Sequence, residues 1–266
     1  MWRMWRVGIG YRQELSGWIH TRPGEITCVE VTAEHFFDQG KKELQWLCRH
    51  YPVMVHCLGL SLGTPGKLDS LYLNRLDEVI ETAAPEWISD HIAFTRTDDV
   101  DLGHLNPIPA TQQTLDILIE HAQELMEHYG RPLILENITS YLRLPGSMSE
   151  TEFMNRLCER SGCGLLLDVT NLYINSRNHQ FDAIAYLHEI NPQHIVQLHV
   201  AGYSQVGARL EDLHAQALQS EIWKLIDEVF SYAPVRAVII ERDQNFPPLA
   251  QLTAELHRLE AAIARY

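Results

Sequence analysis

The sequence predicts an α/β fold, a (β/α)8 TIM-type barrel in a single domain over residues 1–266, carrying its functional residues at the C-terminal ends of the strands. Two observations predict it. Eight short, mostly apolar runs alternate with helical patterns, and six of those runs end on a possible metal ligand: VMVHC at His56, WISDH at His91, LILEN at Glu136, GLLLDVTN at Asp168, IVQLHVAG at His199 and AVIIER at Glu241. Strands separated by helices run parallel through right-handed crossovers, and eight of them close on themselves. An open doubly wound sheet is the alternative, but it gathers its ligands at one switch point rather than at six strand ends.

In chain order, strands are expected at residues 7–11, 28–31, 53–56, 87–92, 133–136, 164–168, 195–200 and 237–241, nearly continuously apolar as suits strands covered on both faces. Helices are expected at 41–50, 69–83, 111–129, 150–161, 182–190, 217–230 and 249–264. Ser149 and Glu152 have the spacing of a capping box, which places a helix start there. Gly130, followed by Arg131 and Pro132, stops the third helix, because glycine accepts a left-handed cap and proline cannot continue the ladder. The irregular stretches 58–66, 93–109, 140–146 and 202–214 each follow a strand, where a barrel carries its substrate loops.

Composition narrows the function. With 266 residues and 45% hydrophobic content the chain can fill one large core, and a net charge of −14 opposes binding to a polyanion, so no nucleic-acid partner is expected. No apolar run is long enough for a bilayer, and the opening MWRMWRVGIG passes into a strand without a secretory apolar region, so a cytoplasmic protein with no membrane partner is expected. Five cysteines without a CxxC pair indicate neither a disulfide framework nor a zinc ribbon. CLGLSLGTPGK lacks P-loop spacing, which argues against nucleotide binding.

A lone histidine is more often packed or exposed than a ligand, and the same holds for His56, His91 and His199 taken singly. A carboxylate closing an apolar strand is rarer, because an uncompensated buried charge is costly. Three histidines with Glu136, Asp168 and Glu241 at equivalent positions would need a shared cation, so metal binding is favoured. LEDLHA adds Asp212 and His214, two residues apart and on one side of an extended backbone. Asn171, at the start of the loop after Asp168, can lend an amide oxygen, and Asn137 either turns the chain or orients Glu136. Nine donors exceed the needs of one ion, and mixed imidazole and carboxylate ligation suits iron or manganese, with zinc possible. Cys57 is read as packing, Glu34 as a helix start, Glu30 as a residue that could enter the barrel mouth, and Arg242 and Asp243 as a surface pair in preference to a substrate gate.

These motifs, in order, resemble a known family. GIGYR at 8–12, VEVTAEHFF at 29–37, VHCLGLSLG at 55–63, SDHIAF at 89–94, LENITSY at 135–141, LLLDVTNLY, LHVAGY, EDLH and IIERD together are similar to the multinuclear non-heme iron-dependent oxidative enzymes that modify ribosomally made peptides, including the methanobactin-biosynthesis oxidase. The resemblance implies a TIM-type barrel with iron, two or three ions of mixed ferrous and ferric state, held by His56, His91, Glu136, Asp168, Asn171, His199, Asp212, His214 and Glu241. Glu136, Asp168 and His199 are expected as catalytic residues, and Glu136 is the choice for a bridging carboxylate because it lies midway in strand order between the histidine-bearing strands and the later carboxylate strands. The resemblance further implies a dioxygen-dependent oxidase acting on a precursor peptide, typically at cysteine, and a separate leader-peptide-recognition protein. The runner-up is a divalent-metal barrel enzyme of the sugar isomerase or endonuclease type, and a non-catalytic metal-binding subunit is the third reading.

Overall fold

A strand sends alternate side chains to opposite faces. In the computed structural model of this chain, which describes residues 5–97 and 100–266, that alternation builds two separate cores. Eight parallel strands close into a barrel in sequential order: β1 Arg6–Gly10, β2 Cys28–Thr32, β3 Val53–His56, β4 Ile88–His91, β5 Leu133–Glu136, β6 Gly164–Asp168, β7 Ile195–Val200 and β8 Ala237–Ile240, with β8 pairing back to β1. Residues 1–4 of the basic opening, and Asp98 and Asp99 within the expected loop 93–109, lie outside the described residues.

One parity of each strand faces outward. Val29, Val31, Val55, Leu135, Leu167 and Val238 join the large core in which helices such as Lys41–His50, Gln112–Tyr129 and Leu249–Ile263 bury their apolar stripes. The other parity fills the barrel. Cys28, Met54, Trp87, Ile134, Leu166, Ala237 and Ile239 form a second, smaller apolar cluster. Two residues further along the same strands and on the same face come Glu30, His56, Ser89, Glu136, Asp168 and Glu241, all buried. The barrel is therefore plugged by hydrocarbon below and lined with polar side chains above, and the polar end is set by one change of residue type along a shared register.

Loops and caps follow their local chemistry. Gly130 closes helix Gln112–Tyr129 at φ 60°, as its left-handed cap requires. Ser149 Oγ accepts from Glu152 N at 3.1 Å, which realises one half of the capping box; the Glu152 carboxylate pairs with Arg156 one turn on. No helix among the described residues is long and apolar enough to cross a membrane.

Three expectations are corrected. Asn171 does not begin a loop but lies in the first turn of a helix, Val169–His179, whose start is capped by Asp168. Its sequence VTNLYINSRNH carries no single apolar stripe, and residues on several of its faces are buried, so the periodic signal that marks a surface helix is missing. The stretches 93–109 and 202–214 contain antiparallel hairpins, Phe94–Arg96 with Asp101–Asn106 and Gly202–Val206 with Arg209–Gln216. The helix expected from 217 begins at Ser220.

Candidate metal centre

Register brings the strand-end residues side by side. His91 pairs across the ladder with Glu136, and Asp168 with His199, so two ligand candidates from adjacent strands share each level. The side chains then meet in two groups whose donor atoms lie within 4.8 Å of one another: His56, His91 and Glu136, and Glu136, Asp168, His199 and Glu241. Glu136 belongs to both. Its Oε2 lies 3.5 Å from His56 Nε2 and 3.3 Å from His91 Nε2, while Oε1 lies 3.2 Å from His199 Nδ1. Glu241 Oε2 approaches the same Nδ1 at 3.2 Å.

The remaining three candidates join at one side. His214 Nε2 is 2.9 Å from Asp212 Oδ1 and 3.6 Å from Glu241 Oε2. Both residues lie on the strand Arg209–Gln216, but His214 takes a left-handed backbone with φ 47°, so simple alternation does not place it. Asn171 donates its side-chain N–H to Asn137 O at 3.1 Å, which leaves Oδ1 free. A cavity of about 880 Å³ opens above, lined by His56, His91, Glu136, Asn171, Asp212, His214 and Glu241, with Leu58, Leu105, Ile138 and Thr139 among its other walls. Asp168 and His199 lie beneath it, fully buried.

Whether this set fits a cation can be tested on its own atoms. Buried polar atoms are nearly always hydrogen-bonded. Among the described residues nine side-chain atoms are buried without a partner, and five belong here: Glu136 Oε2, Asp168 Oδ2, Asn171 Oδ1, Asp212 Oδ1 and His214 Nε2. Asp212 Oδ1 and His214 Nε2 are 2.9 Å apart and still make no hydrogen bond of acceptable angle. Buried lone pairs left without a hydrogen-bond donor are what a bound cation satisfies, and the oxygen and imidazole donors suit a transition metal.

The electrostatics point the same way. Burial, with Asp212, Glu136 and Glu241 nearby, raises the Asp168 carboxyl well above its usual range. Burial alone would lower His199, but Glu241, Glu30 and Glu136 raise it well above the ordinary histidine value, and His214 is raised by Glu241 and Asp212 in the same way. His56 goes the other way, lowered by burial and by His91 and His199. Glu241 is held well below the usual carboxylate range, against the effect of burial, by His199 and His214, so Asp168 is the carboxyl in the cluster shifted toward holding a proton that a bound metal would displace.

Side chains around the cluster fix its members. His56 Nδ1 bonds Ser89 Oγ at 2.9 Å, and His91 Nδ1 lies 3.3 Å from Asp90 Oδ1, so each presents Nε2 to Glu136. His214 Nδ1 bonds Asp243 Oδ2 at 2.8 Å, and Arg12 Nε donates to Asp243 Oδ1 at 2.5 Å. Sequence reasoning missed Ser89, Gln197 and Arg12; Ser89 and Gln197 each stand two residues before a strand-end histidine, and that parity was the available signal. Arg242 and Asp243 are not a surface pair. Arg242 is 1% exposed and pairs with Glu255 at 3.1 Å, while Asp243 faces His214. Asn137 orients the Asp168 backbone, accepting from its N–H at 2.8 Å and donating to its carbonyl at 3.0 Å, rather than touching Glu136. Glu34 lies in a short 3-10 turn and accepts from Leu58 N at 2.7 Å and from the Tyr72 hydroxyl, away from the cluster. Cys57 packs in the outer core as expected.

Comparison with known proteins is consistent over the whole chain. Residues 6–264 match the family model described as RiPP precursor modification enzyme MbnB/TglH/ChrH. A UPF0276 protein of Chromobacterium violaceum is 36% identical over 256 residues, covering 95% of this chain and 91% of its own length. Among solved structures, D-psicose 3-epimerase from Clostridium cellulolyticum superposes with a TM-score of 0.64 at 11% identity, covering 98% of both chains. Endonuclease IV from Thermus thermophilus superposes with a TM-score of 0.60 at 14% identity, covering 98% of this chain and all of that one. At such identity these structures share the barrel and carry no statement about chemistry.

Proposed function

The chain belongs to the RiPP precursor modification enzymes of the MbnB/TglH/ChrH family, and from that membership and its buried donor cluster we propose that it is a multinuclear, iron- and dioxygen-dependent oxidase that modifies a ribosomally made precursor peptide at cysteine. The observation that carries the reading is Glu136, common to two donor groups and holding one buried oxygen without a hydrogen-bond partner. A carboxylate with two usable oxygens between two imidazole-bearing sets is suited to serve two ions at once.

In this reading His56, His91 and Glu136 hold one iron, Glu136, Asp168, His199 and Glu241 hold a second, and Asn171, Asp212 and His214 offer donors for a third beside Glu241. Bound iron would supply a Lewis acid for a substrate thiolate together with a redox centre for dioxygen. The protein's own residues do the rest. Asp168 and His199, sealed under the cavity floor, are donors held out of bulk water. Leu58, Leu105 and Ile138 give the cavity apolar walls against which a peptide side chain can lie, and 880 Å³ admits more than one residue. Asp243 fixes the His214 ring through Nδ1, and Arg12 holds Asp243 in place. A separate protein that recognises the leader peptide belongs to the same proposal, as does a cytoplasmic setting, which suits five unpaired cysteines.

The test is coexpression with a small peptide encoded nearby, with and without its presumed partner, followed by mass measurement. The expected result is an oxygen-dependent mass change that disappears in His56→Ala, and about two or three irons per chain after anaerobic purification. Full occupancy by zinc or magnesium with epimerase or isomerase activity and no oxygen uptake would overturn the proposal in favour of the divalent-metal barrel enzymes.

A further inference from the structure

Below the cavity a hydrogen-bonded chain runs across the barrel interior through four side chains, each buried to 3% exposure or less: Trp87, Gln197, Glu30 and His199. Its direction can be read from one end. The indole N–H of Trp87 is a donor only, and it donates to Gln197 Oε1 at 2.7 Å. That contact fixes which end of the Gln197 amide is oxygen, so Gln197 turns its NH2 toward Glu30 and donates to Glu30 Oε2 at 2.6 Å. The other Glu30 oxygen, Oε1, lies 2.6 Å from His199 Nε2. Gln197 Nε2 also lies 3.2 Å from His199 Nε2. An amide N–H and a protonated ring nitrogen do not bond each other, and each instead has its own carboxylate oxygen.

We propose that Glu30 is a positioning residue that holds the proton of His199 on Nε2 and so presents the Nδ1 lone pair, between Glu136 and Glu241, as the metal donor. The inference rests on the metal-binding reading above and goes beyond it by assigning the tautomer of one ligand and the residue that enforces it. The device has a chemical rationale, since a carboxylate on the distal N–H both orients a ligating imidazole and strengthens it as a donor. What sets this case apart is that the indole N–H fixes the Gln197 amide, so that one Glu30 oxygen is taken by a donor and the other, as a carboxylate acceptor, faces His199 Nε2.

The order of donors and acceptors yields a test that simple packing would not pass. In Glu30→Gln, a near-isostere, one end of the new amide is NH2. Facing Gln197 it meets another NH2, and facing His199 it demands a bare Nε2, which moves the proton onto Nδ1. Adding Gln197→Glu restores the sequence, because the carboxylate introduced there accepts from both Trp87 and the amide introduced at position 30, whose oxygen again accepts from His199. Zinc, a diamagnetic probe, is titrated into metal-free wild type, E30Q and the E30Q/Q197E double variant, and the His199 ring is followed by 15N NMR in the zinc-loaded protein.

The expected result is zinc binding about 10- to 100-fold weaker in E30Q, recovered in the double variant, with zinc on Nδ1 and a proton on Nε2 in wild type. Unchanged affinity in E30Q, or weakening that the double variant fails to recover, overturns the proposal. Should neither variant fold, the wild-type ring decides alone, and a proton on Nδ1 overturns it. Wild-type protein that takes up no metal refutes the metal reading itself, an outcome distinct from each of these.

Discussion

Glu136 reaches His199 Nδ1 with Oε1 at 3.2 Å while its other oxygen, 3.3 Å from His91 Nε2, is buried and takes no hydrogen bond. The two oxygens thus serve opposite halves of the donor cluster. His91 serves only one. Replacing Glu136 with alanine is therefore expected to remove more than one metal ion per chain, whereas His91→Ala removes one. Metal analysis of anaerobically purified variants, with circular dichroism to confirm the barrel, checks this. Equal losses in the two variants would show that Glu136 is not shared.

Metal uptake should depend on pH. In the metal-free protein burial and neighbouring carboxylates raise Asp168, and Glu241 and Glu30 raise His199 against the effect of burial, so each holds its proton to a higher pH than it would in solution. A raised carboxyl is neutral up to its folded value, and a raised histidine is charged up to its own. Coordination needs both deprotonated. Binding must then release protons, and affinity should climb as pH rises from about 6 to 8. Calorimetry in two buffers of different ionisation enthalpy measures the protons released, and affinity that stays flat over this range would contradict the assignment.

Much of this was legible in the sequence because one physical signal served twice. The period of two that marks the apolar strands also fixes which face His56, Glu136, Asp168 and Glu241 share, so the fold and the candidate ligands were read from the same residues. The helix Val169–His179 was hidden because it is buried on several faces and carries no stripe. Asp243 was hidden for a different reason. Its role depends on the bend at His214, whose positive φ no alternation rule anticipates, and on Arg12, which arrives from the other end of the chain. Arg242 and Asp243 looked like a surface pair because adjacent opposite charges usually are one.

The Arg242–Glu255 pair predicts a stability effect separate from the metal. Arg242 is 1% exposed, and Glu255 binds it at 3.1 Å while also accepting from Leu218 N at 2.9 Å, so one carboxylate ties the end of β8 to the closing helix. Glu255→Ala leaves a buried guanidinium and an amide unpartnered and should cost about 3–5 kcal/mol. Glu255→Gln keeps the amide acceptor and should cost less. Replacing both members with apolar residues, Arg242→Met with Glu255→Leu, should recover much of the loss, because the pair stabilises little relative to good packing. Urea unfolding of the metal-free proteins reads all three, and a Glu255→Ala variant as stable as wild type would refute the account.

Asp243 tests whether the outer donors act apart from the inner ones. It accepts from His214 Nδ1 at 2.8 Å and is gripped by Arg12, yet it lies outside both inner donor groups. Asp243→Ala frees the His214 ring, which sits on a left-handed backbone and has only Asp212 and Glu241 beside its other nitrogen. A ring no longer fixed through its distal nitrogen should bind metal about 10- to 100-fold more weakly. The loss should be confined to the ion held by Asn171, Asp212 and His214, because His56, His91 and His199 keep their own partners, Ser89, Asp90 and Glu30. Titration with zinc should thus show the inner sites unchanged and the outer one weakened. Uniform weakening of every site would mean that the cluster is a single coupled unit, and that the outer donors have no ion of their own.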